Sequence, residues 1–416
     1  MPLMTTFEHA VLTAQDFVYA ADFDWLIEQN FIGFAVQRSR GTWQLVVGHY
    51  LGVIQLPSGM LLEVLPKIAQ FGEVNLGETR AWVKTMLATI WPGLNPKPLS
   101  VVAPQTRFDH AQESIPMWLG QCFYQWFNQY QPNQHYQTTE QNQSYIQGKL
   151  LLTQQLRHNA HQPHKFYSER DQFAPDTASN RLVKTAYQRL TQLGILSLSA
   201  LPMSWQGVTA LYQPTLAQIE NVFQQSQQEL QQRMPALRQP ANMLLRLSYA
   251  ILTAQQALPS VDKAPSPSLL INMQTAFEQW VTHVAKQLVT HVTRQQFSQV
   301  QAQHSQALVM RQGLPLLSMK PDLLMDYRQG QQRIVADIKW KNIGSVGDIR
   351  LSDMYQLLTY ANETAARQAW LIYPTIDRHQ QAIPIELVKP RDTQFWLVPF
   401  VVTQGQLSLP PLSAKR

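Results

Sequence analysis

The sequence predicts an α+β protein of several domains: a small β-rich, α+β N-terminal domain, a mostly helical middle region and a C-terminal α/β domain. Three observations carry that reading. Short apolar runs separated by glycine and proline fill the first hundred residues. Apolar residues at three- and four-residue spacing dominate residues 113–260. After the Pro/Ser stretch Ala264-Pro265-Ser266-Pro267-Ser268, which excludes a continuous helix, the pattern becomes a long helix, three β-type runs, a helix and a further β-type run. The domains are therefore drawn at 1–100, 101–263 and 268–416, and 416 residues suffice for two or three cores at roughly 150 residues each.

The elements follow in order. A helix is expected over Asp16 to Gln29, then β-type runs at Phe31 to Gln37, Thr42 to Val47, Gly52 to Leu56 and Leu61 to Leu65, with Gly41, Gly48 and Pro57-Ser58-Gly59 at the turns. A helix over Glu78 to Trp91 stops at Pro92-Gly93. In the middle, helices are expected at Ile115 to Tyr130, Arg181 to Leu193, Leu216 to Gln232 and Met243 to Ala257, with residues 158–178 polar and irregular. Beyond the linker, Leu269 to Val292 reads as one long amphipathic helix. Runs at Phe297 to Gln303, Ser318 to Tyr327, Arg333 to Lys341 and Ala369 to Pro374 follow, with a helix over Ile349 to Ala365 before the last.

Composition narrows the chemistry. One cysteine, Cys122, excludes an intrachain disulfide and a Cys-rich metal site, and points to a reducing, cytoplasmic setting. The start, MPLMTTFEHA, has neither a basic nor an apolar signal segment, and there is no run of about 18 apolar residues, so no membrane is expected. The net charge of +6 is uneven: −2 over residues 1–100 against +4 over 301–416. The basic C-terminal part suits a polyanion. His158, His161 and His164, with His135 upstream, do not follow a zinc spacing. The aromatic row Trp118, Phe123, Tyr124, Trp126, Phe127 and Tyr130 has the helical spacing of core packing. Gly148-Lys149 lacks the upstream glycine of a phosphate-binding loop, so any nucleotide hydrolysis belongs to another polypeptide.

The informative segment is Pro321-Asp322, a turn around Gln329-Gly330-Gln331, and Ala336-Asp337-Ile338-Lys339-Trp340. Strand side chains alternate, so Ile334, Ala336, Ile338 and Trp340 share an apolar face while Asp337, Lys339 and Lys341 project from the other. Asp337 and Lys339 would have Cα atoms ~6.6 Å apart, with room for a hydrated cation and a water. A hairpin brings Asp322 alongside. Two carboxylates and the Ile338 carbonyl can hold Mg²⁺, which suggests phosphodiester hydrolysis with Lys339 orienting water or stabilising developing charge. Glu278 lies on the preceding long helix. Gln356 and Tyr360 stand one turn apart on the following one.

The ordered set Glu278, Pro321-Asp322, Asp337-x-Lys339 and Gln356-x-x-x-Tyr360 resembles the PD-(D/E)XK nucleases of the RecB-like variety. Gly52-Val53-Ile54, Leu62-Glu63-Val64-Leu65-Pro66-Lys67-Ile68, Ile146-Gln147-Gly148-Lys149-Leu150, Asn180-Arg181-Leu182-Val183-Lys184 and Asn272-Met273 ahead of Phe277-Glu278 are similar to the McrC family. The resemblance implies a C-terminal restriction-endonuclease-like domain that cuts methylated double-stranded DNA. It also implies an N-terminal part that docks on a McrB-like hexameric AAA+ GTPase, which binds the GTP and whose hydrolysis is stimulated. Asp322, Asp337 and Glu278 become metal ligands with the Ile338 carbonyl, Lys339 the catalytic lysine, and Gln356 and Tyr360 positioning groups. Lys341, Arg350 and Lys320 are candidate phosphate contacts. Two other readings stay open: a stand-alone RecB-like nuclease, and a non-catalytic DNA-binding activator.

Overall fold

A computed structural model describes residues 2–29, 33–68, 75–94, 113–197, 201–254, 268–290, 297–303, 305–311, 314–327, 332–389 and 391–411. The turn expected around Gln329-Gly330-Gln331, and the linker up to Pro267, lie outside them. The chain forms two compact units, residues 1–118 with 257–416, and residues 119–256. The sequence reading places the N-terminal and C-terminal domains apart; here they form one unit.

In the N-terminal part of the first unit come β1 (Leu3–Phe7), β2 (Val11–Leu12), α1 (Ala20–Gln29), β3 (Phe34–Ser39), β4 (Thr42–Val47), β5 (Tyr50–Gln55), β6 (Leu61–Leu65) and α2 (Leu76–Ile90). β2, β4 and β3 form one sheet. The other has the order β1-β6-β5 and is completed by β10 (Ser268–Asn272), so the strand after the linker returns to the N-terminal sheet. Gly52 makes that closure possible: its φ is +146°, it pairs with Leu270, and a Cβ there would lie 1.9 Å from the Leu269 carbonyl oxygen. Leu270 joins Phe23, Leu26, Leu45, Ile54 and Leu62 in the core beneath. The expected helix from Leu269 thus opens as a strand; the run Leu269-Leu270-Ile271 fits a buried strand as well as a helix.

Beyond β10 the unit continues with α8 (Met273–Thr290), β11 (Phe297–Ala302), β12 (Gln306–Arg311), β13 (Leu314–Met319), β14 (Leu323–Tyr327), β15 (Gln332–Ile338), α9 (Leu351–Glu363), β16 (Gln368–Thr375), β17 (Ile383–Ile385), β18 (Gln394–Val401) and β19 (Gln406–Leu407). The main sheet runs β11-β14-β15-β16-β18-β17, with β19 on β18 and with β15, β16 and β18 parallel. β16 is buried along its whole length, as a central strand covered on both faces should be. Val335 packs with Leu357, Tyr360 and Ala361 of α9, so the Asp337 face of β15 is also covered. The open, charged face expected for that strand is absent, and β15 ends at Ile338 before Lys341.

The second unit holds most of α3 (Ile115–Gln129), then β7 (His135–Gln143), β8 (Lys149–Leu150), α4 (Leu152–Asn159), β9 (Phe166–Ala174), α5 (Ala178–Gln192), α6 (Leu216–Gln231) and α7 (Pro235–Ala254). The stretch 158–178, expected to be irregular, contains β9, which pairs with β7 from His135–Ala174 to Gln143–Phe166. β7 is polar apart from Tyr136 and β9 carries its apolar residues only at its two ends, so no alternation announces them. Of the aromatic row, Phe123, Phe127 and Tyr130 are buried as core packing requires, Trp118 and Trp126 are half-buried, and Tyr124 is exposed.

Candidate active site

The antiparallel register pairs Leu323 with Ala336, which sets Asp322 at the start of β14 beside the C-terminal end of β15. Asp322 Oδ2 accepts the Ile338 backbone N–H at 2.7 Å. Asp337 is 1% exposed. Its Oδ1 accepts from Lys339 Nζ at 3.1 Å, and its Oδ2 lies 2.9 Å from the same nitrogen yet makes no hydrogen bond. Lys339 is held at the sheet by its own N–H, which donates to the Ile372 carbonyl of β16 at 2.9 Å. Its Nζ also donates to Gln356 Oε1 at 3.3 Å, Gln356 Nε2 donates to Tyr360 Oη at 2.7 Å, and that hydroxyl donates to the Lys320 carbonyl at 3.3 Å. One helical turn between Gln356 and Tyr360 makes the relay possible.

Gln274, which sequence reasoning missed, fastens α8 to the same strand end. Its Nε2 donates to the Ile338 carbonyl at 2.7 Å and to Glu278 Oε1 at 2.5 Å, and its Oε1 accepts the Trp340 N–H at 2.7 Å. The only sequence signal is its four-residue spacing from Glu278. The Trp340 indole N–H reaches Glu8 at the end of β1, at 3.0 and 3.2 Å from its two oxygens. Glu8 is fully buried, and burial pushes its carboxyl up to about 7 against the hydrogen bonds from Trp340 and Lys67.

The acids are short of positive charge. Burial raises Asp322 to about 7; the Ile338 N–H opposes this, while Asp337 and Glu278 add to it. Burial also raises Asp337, Lys339 opposes it, and Asp353 and Glu278 add to it. For Lys339, burial favours the neutral amine, but the charge and hydrogen bond of Asp337, with Asp322 and Asp353, outweigh it and the ammonium is favoured. Oxygen donors with one buried atom lacking a hydrogen bond are the donor set a hard divalent cation takes. The Ile338 carbonyl keeps a second lone pair beside its bond to Gln274. Among the described residues no group of three or more His, Cys, Asp or Glu side chains is gathered to hold a metal ion. A Mg²⁺ site needs only one or two carboxylates, with waters and substrate oxygens completing the shell.

The remaining candidates separate. Glu278 lines a cleft of about 380 Å³ together with Asp322. Lys341 is drawn away from solvent into a 2.6 Å pair with the buried Asp353. Lys320 is exposed and contributes its carbonyl to Tyr360. Arg350 is exposed at the N-cap of α9. His158 stacks on Tyr167. Among the described residues no helix is long and apolar enough to cross a membrane.

Residues 45–374 match the family described as McrBC 5-methylcytosine restriction system component. The chain belongs to this family. The matched McrBC stretch takes in Gly52, Glu63, Gly148 and Asn180 as well as every residue from Gln274 to Tyr360 described above. Several of its motif residues are architectural: Gly148, at φ +87°, lies where a Cβ would meet the Glu169 carbonyl oxygen at 2.2 Å, and Asn180 is buried with bonds to Tyr130, Asn133 and Pro175. Among solved structures, the McrBC chain is similar to one in a half-complex from a tetradecameric assembly of Thermococcus gammatolerans McrB AAA+ hexamers with bound McrC. The match has 15% identity, 96% of this chain and 95% of that chain covered, and a TM-score of 0.55. A chain of the Thermococcus gammatolerans McrBC complex is matched at 16% identity over 70% of this chain and 89% of that one, with a TM-score of 0.39. No curated protein matches. The first likeness supports the fold alone.

Proposed function

We propose that this chain is the Mg²⁺-dependent endonuclease subunit of a GTP-driven, methylcytosine-dependent restriction complex, with a PD-(D/E)XK-type site in its C-terminal domain. The observation that carries the reading is the set Asp322, Asp337, Lys339 and Gln356, from the start of β14, the end of β15 and α9: Lys339 bonds to both Asp337 and Gln356, and Asp322 accepts the N–H of Ile338, between Asp337 and Lys339. Family membership supports the biological setting. The McrB AAA+ hexamers in the Thermococcus gammatolerans assembly that holds the similar chain support a partner of that kind here.

The roles follow from the contacts. Asp322, Asp337 and the Ile338 carbonyl would hold the cation, with Glu278 at its flank; when bound, the ion supplies Lewis-acid polarisation of the scissile phosphate and a more acidic water. Lys339 keeps its proton on Nζ between Asp337 and Gln356, aimed where a phosphoryl oxygen gains charge as water adds and the P–O bond breaks. Gln356, fixed by Tyr360, keeps that ammonium from collapsing wholly onto Asp337. Gln274 clamps the Ile338 carbonyl and Trp340 amide, so the strand end does not fray.

Asp337→Ala should abolish cleavage of methylated duplex in the presence of the GTPase partner, GTP and Mg²⁺, while stimulation of GTP hydrolysis persists. Retained cleavage would refute the site. Cutting by the chain alone, with no partner, would favour the stand-alone nuclease.

A further inference from the structure

Glu278, Gln279, Thr282, His283 and Lys286 recur along α8 at spacings that place them on one helix face. That face forms a wall of the 380 Å³ cleft in which Asp322 stands. The cleft mixes polar side chains with Ile90 and Ala302, and its charged groups are separated along it. The two carboxylates occupy one end, and Lys286 lies two turns away, ~12 Å at 1.5 Å per residue. Gln303 contributes from the far side, directly after β11. Its φ of +51° is unusual for a glutamine, and its backbone N–H donates to the Asp322 carbonyl at 3.0 Å. The residue that presents its side chain to the cleft is therefore tied through the backbone to a proposed metal ligand. Lys341, two residues beyond Lys339, is engaged with Asp353, and Lys320 is not among the residues that line the cleft.

We propose that this cleft seats the sugar–phosphate backbone of the strand being cut. Lys286 pairs with a phosphate a few nucleotides from the scissile one, and Gln279, Thr282 and Gln303 donate hydrogen bonds to phosphate and sugar oxygens. A distance of ~12 Å exceeds the ~3.4 Å axial rise between successive phosphates of one strand, so the two ends of the cleft meet different phosphates. Contacts of this kind position DNA without reading its sequence. The inference rests on the nuclease reading and assigns its substrate path.

The test uses the full chain carrying Asp337→Ala, so that binding to a methylated duplex is measured without cutting, by anisotropy across a salt series. Adding Lys286→Ala should raise Kd roughly fivefold and lower the salt slope by about 0.9, and Lys286→Glu should raise Kd further. Arg40→Ala, which removes an exposed charge elsewhere, should do neither. In the cutting complex, Lys286→Glu should raise KM more than it lowers kcat, equally for all flanking sequences. Unchanged Kd and salt slope in both Lys286 variants would overturn the groove. If the Lys286 variants lose binding but the wild-type complex cuts no DNA, the groove stands and the nuclease reading falls.

Discussion

Glu63 and Asp337 are both buried in the first compact unit, at 0% and 1% exposure, yet their surroundings differ. Glu63 receives the Arg80 guanidinium at 2.5 Å, the Ile115 N–H at 2.8 Å and the Thr5 hydroxyl at 3.0 Å. Asp337 has Lys339 for both oxygens, one without hydrogen-bond geometry, and two neighbouring acids that disfavour its charge. A saturated carboxylate ties β6 to α2 and to the start of α3. An unsaturated one, beside a second acid raised by burial, has capacity left for a ligand. Buried charge alone is therefore no sign of function; incomplete compensation is.

The comparison breaks first at the saturated carboxylate. Glu63→Ala leaves Arg80, 9% exposed at its side chain, without its carboxylate, and should cost about 3–5 kcal/mol of unfolding free energy. A denaturant titration that moves by less than about 1 kcal/mol would remove the distinction between the two acids.

Glu8 is the intermediate case, buried with only partial compensation. Its carboxyl is raised from 4.5 to about 7, so the folded state binds the proton more tightly than the unfolded chain. Stability from this group is complete below about pH 4.5 and is lost as pH rises through about 7. Glu8→Gln keeps an acceptor for Trp340 and removes the charge. Its advantage over wild type should grow between pH 5 and pH 8 by up to about 3 kcal/mol, at ~1.4 kcal/mol per unit. A constant difference between the two pH values would show that Glu8 titrates normally.

Asp337→Ala, which should destroy cutting, should leave the unfolding free energy unchanged or raise it, within about 2 kcal/mol. The acid it removes is poorly compensated, and Lys339, 18% exposed, retains Gln356 and can turn outward. A loss as large as that of Glu63→Ala would mean that Asp337 is structural.

Parts of this contrast were legible in the sequence. Asp337 and Lys339 announce themselves by strand alternation, Asp322 by the hairpin and Gln356 with Tyr360 by helical spacing, because each signal is local. The compensation is not local. Glu8 reaches Trp340 across more than three hundred residues, and Gln274 meets Ile338 only once α8 has packed on β15. Alternation also over-read its own strand: it marks the Asp337 face as polar but cannot show that α9 covers it. β18 went unread for a related reason, since Gln394–Val401 is an almost unbroken apolar run carrying Pro399, without period. The β7–β9 pair is the opposite case, polar along its middle with aromatic residues only near its ends.

The smallest effect belongs to a third acid on the same two strands. Asp326 of β14 pairs with Arg333 of β15 at 3.1 Å, directly opposite in register, but the arginine is 44% exposed. Solvent screens such a pair, and holding two long side chains in one geometry offsets much of its attraction. Arg333→Ala should therefore shift stability by less than about 1 kcal/mol and leave cleavage intact, the difference shrinking further as salt is raised. β14 and β15 would then carry both extremes on one ladder: an ion pair at the exposed end that stabilises little, and at the buried end an acid cluster, the proposed metal site, whose charges are poorly compensated. A large loss on Arg333→Ala would instead show that solvent exposure, on which the ranking of all these carboxylates depends, misjudges how strongly this sheet edge holds its charges.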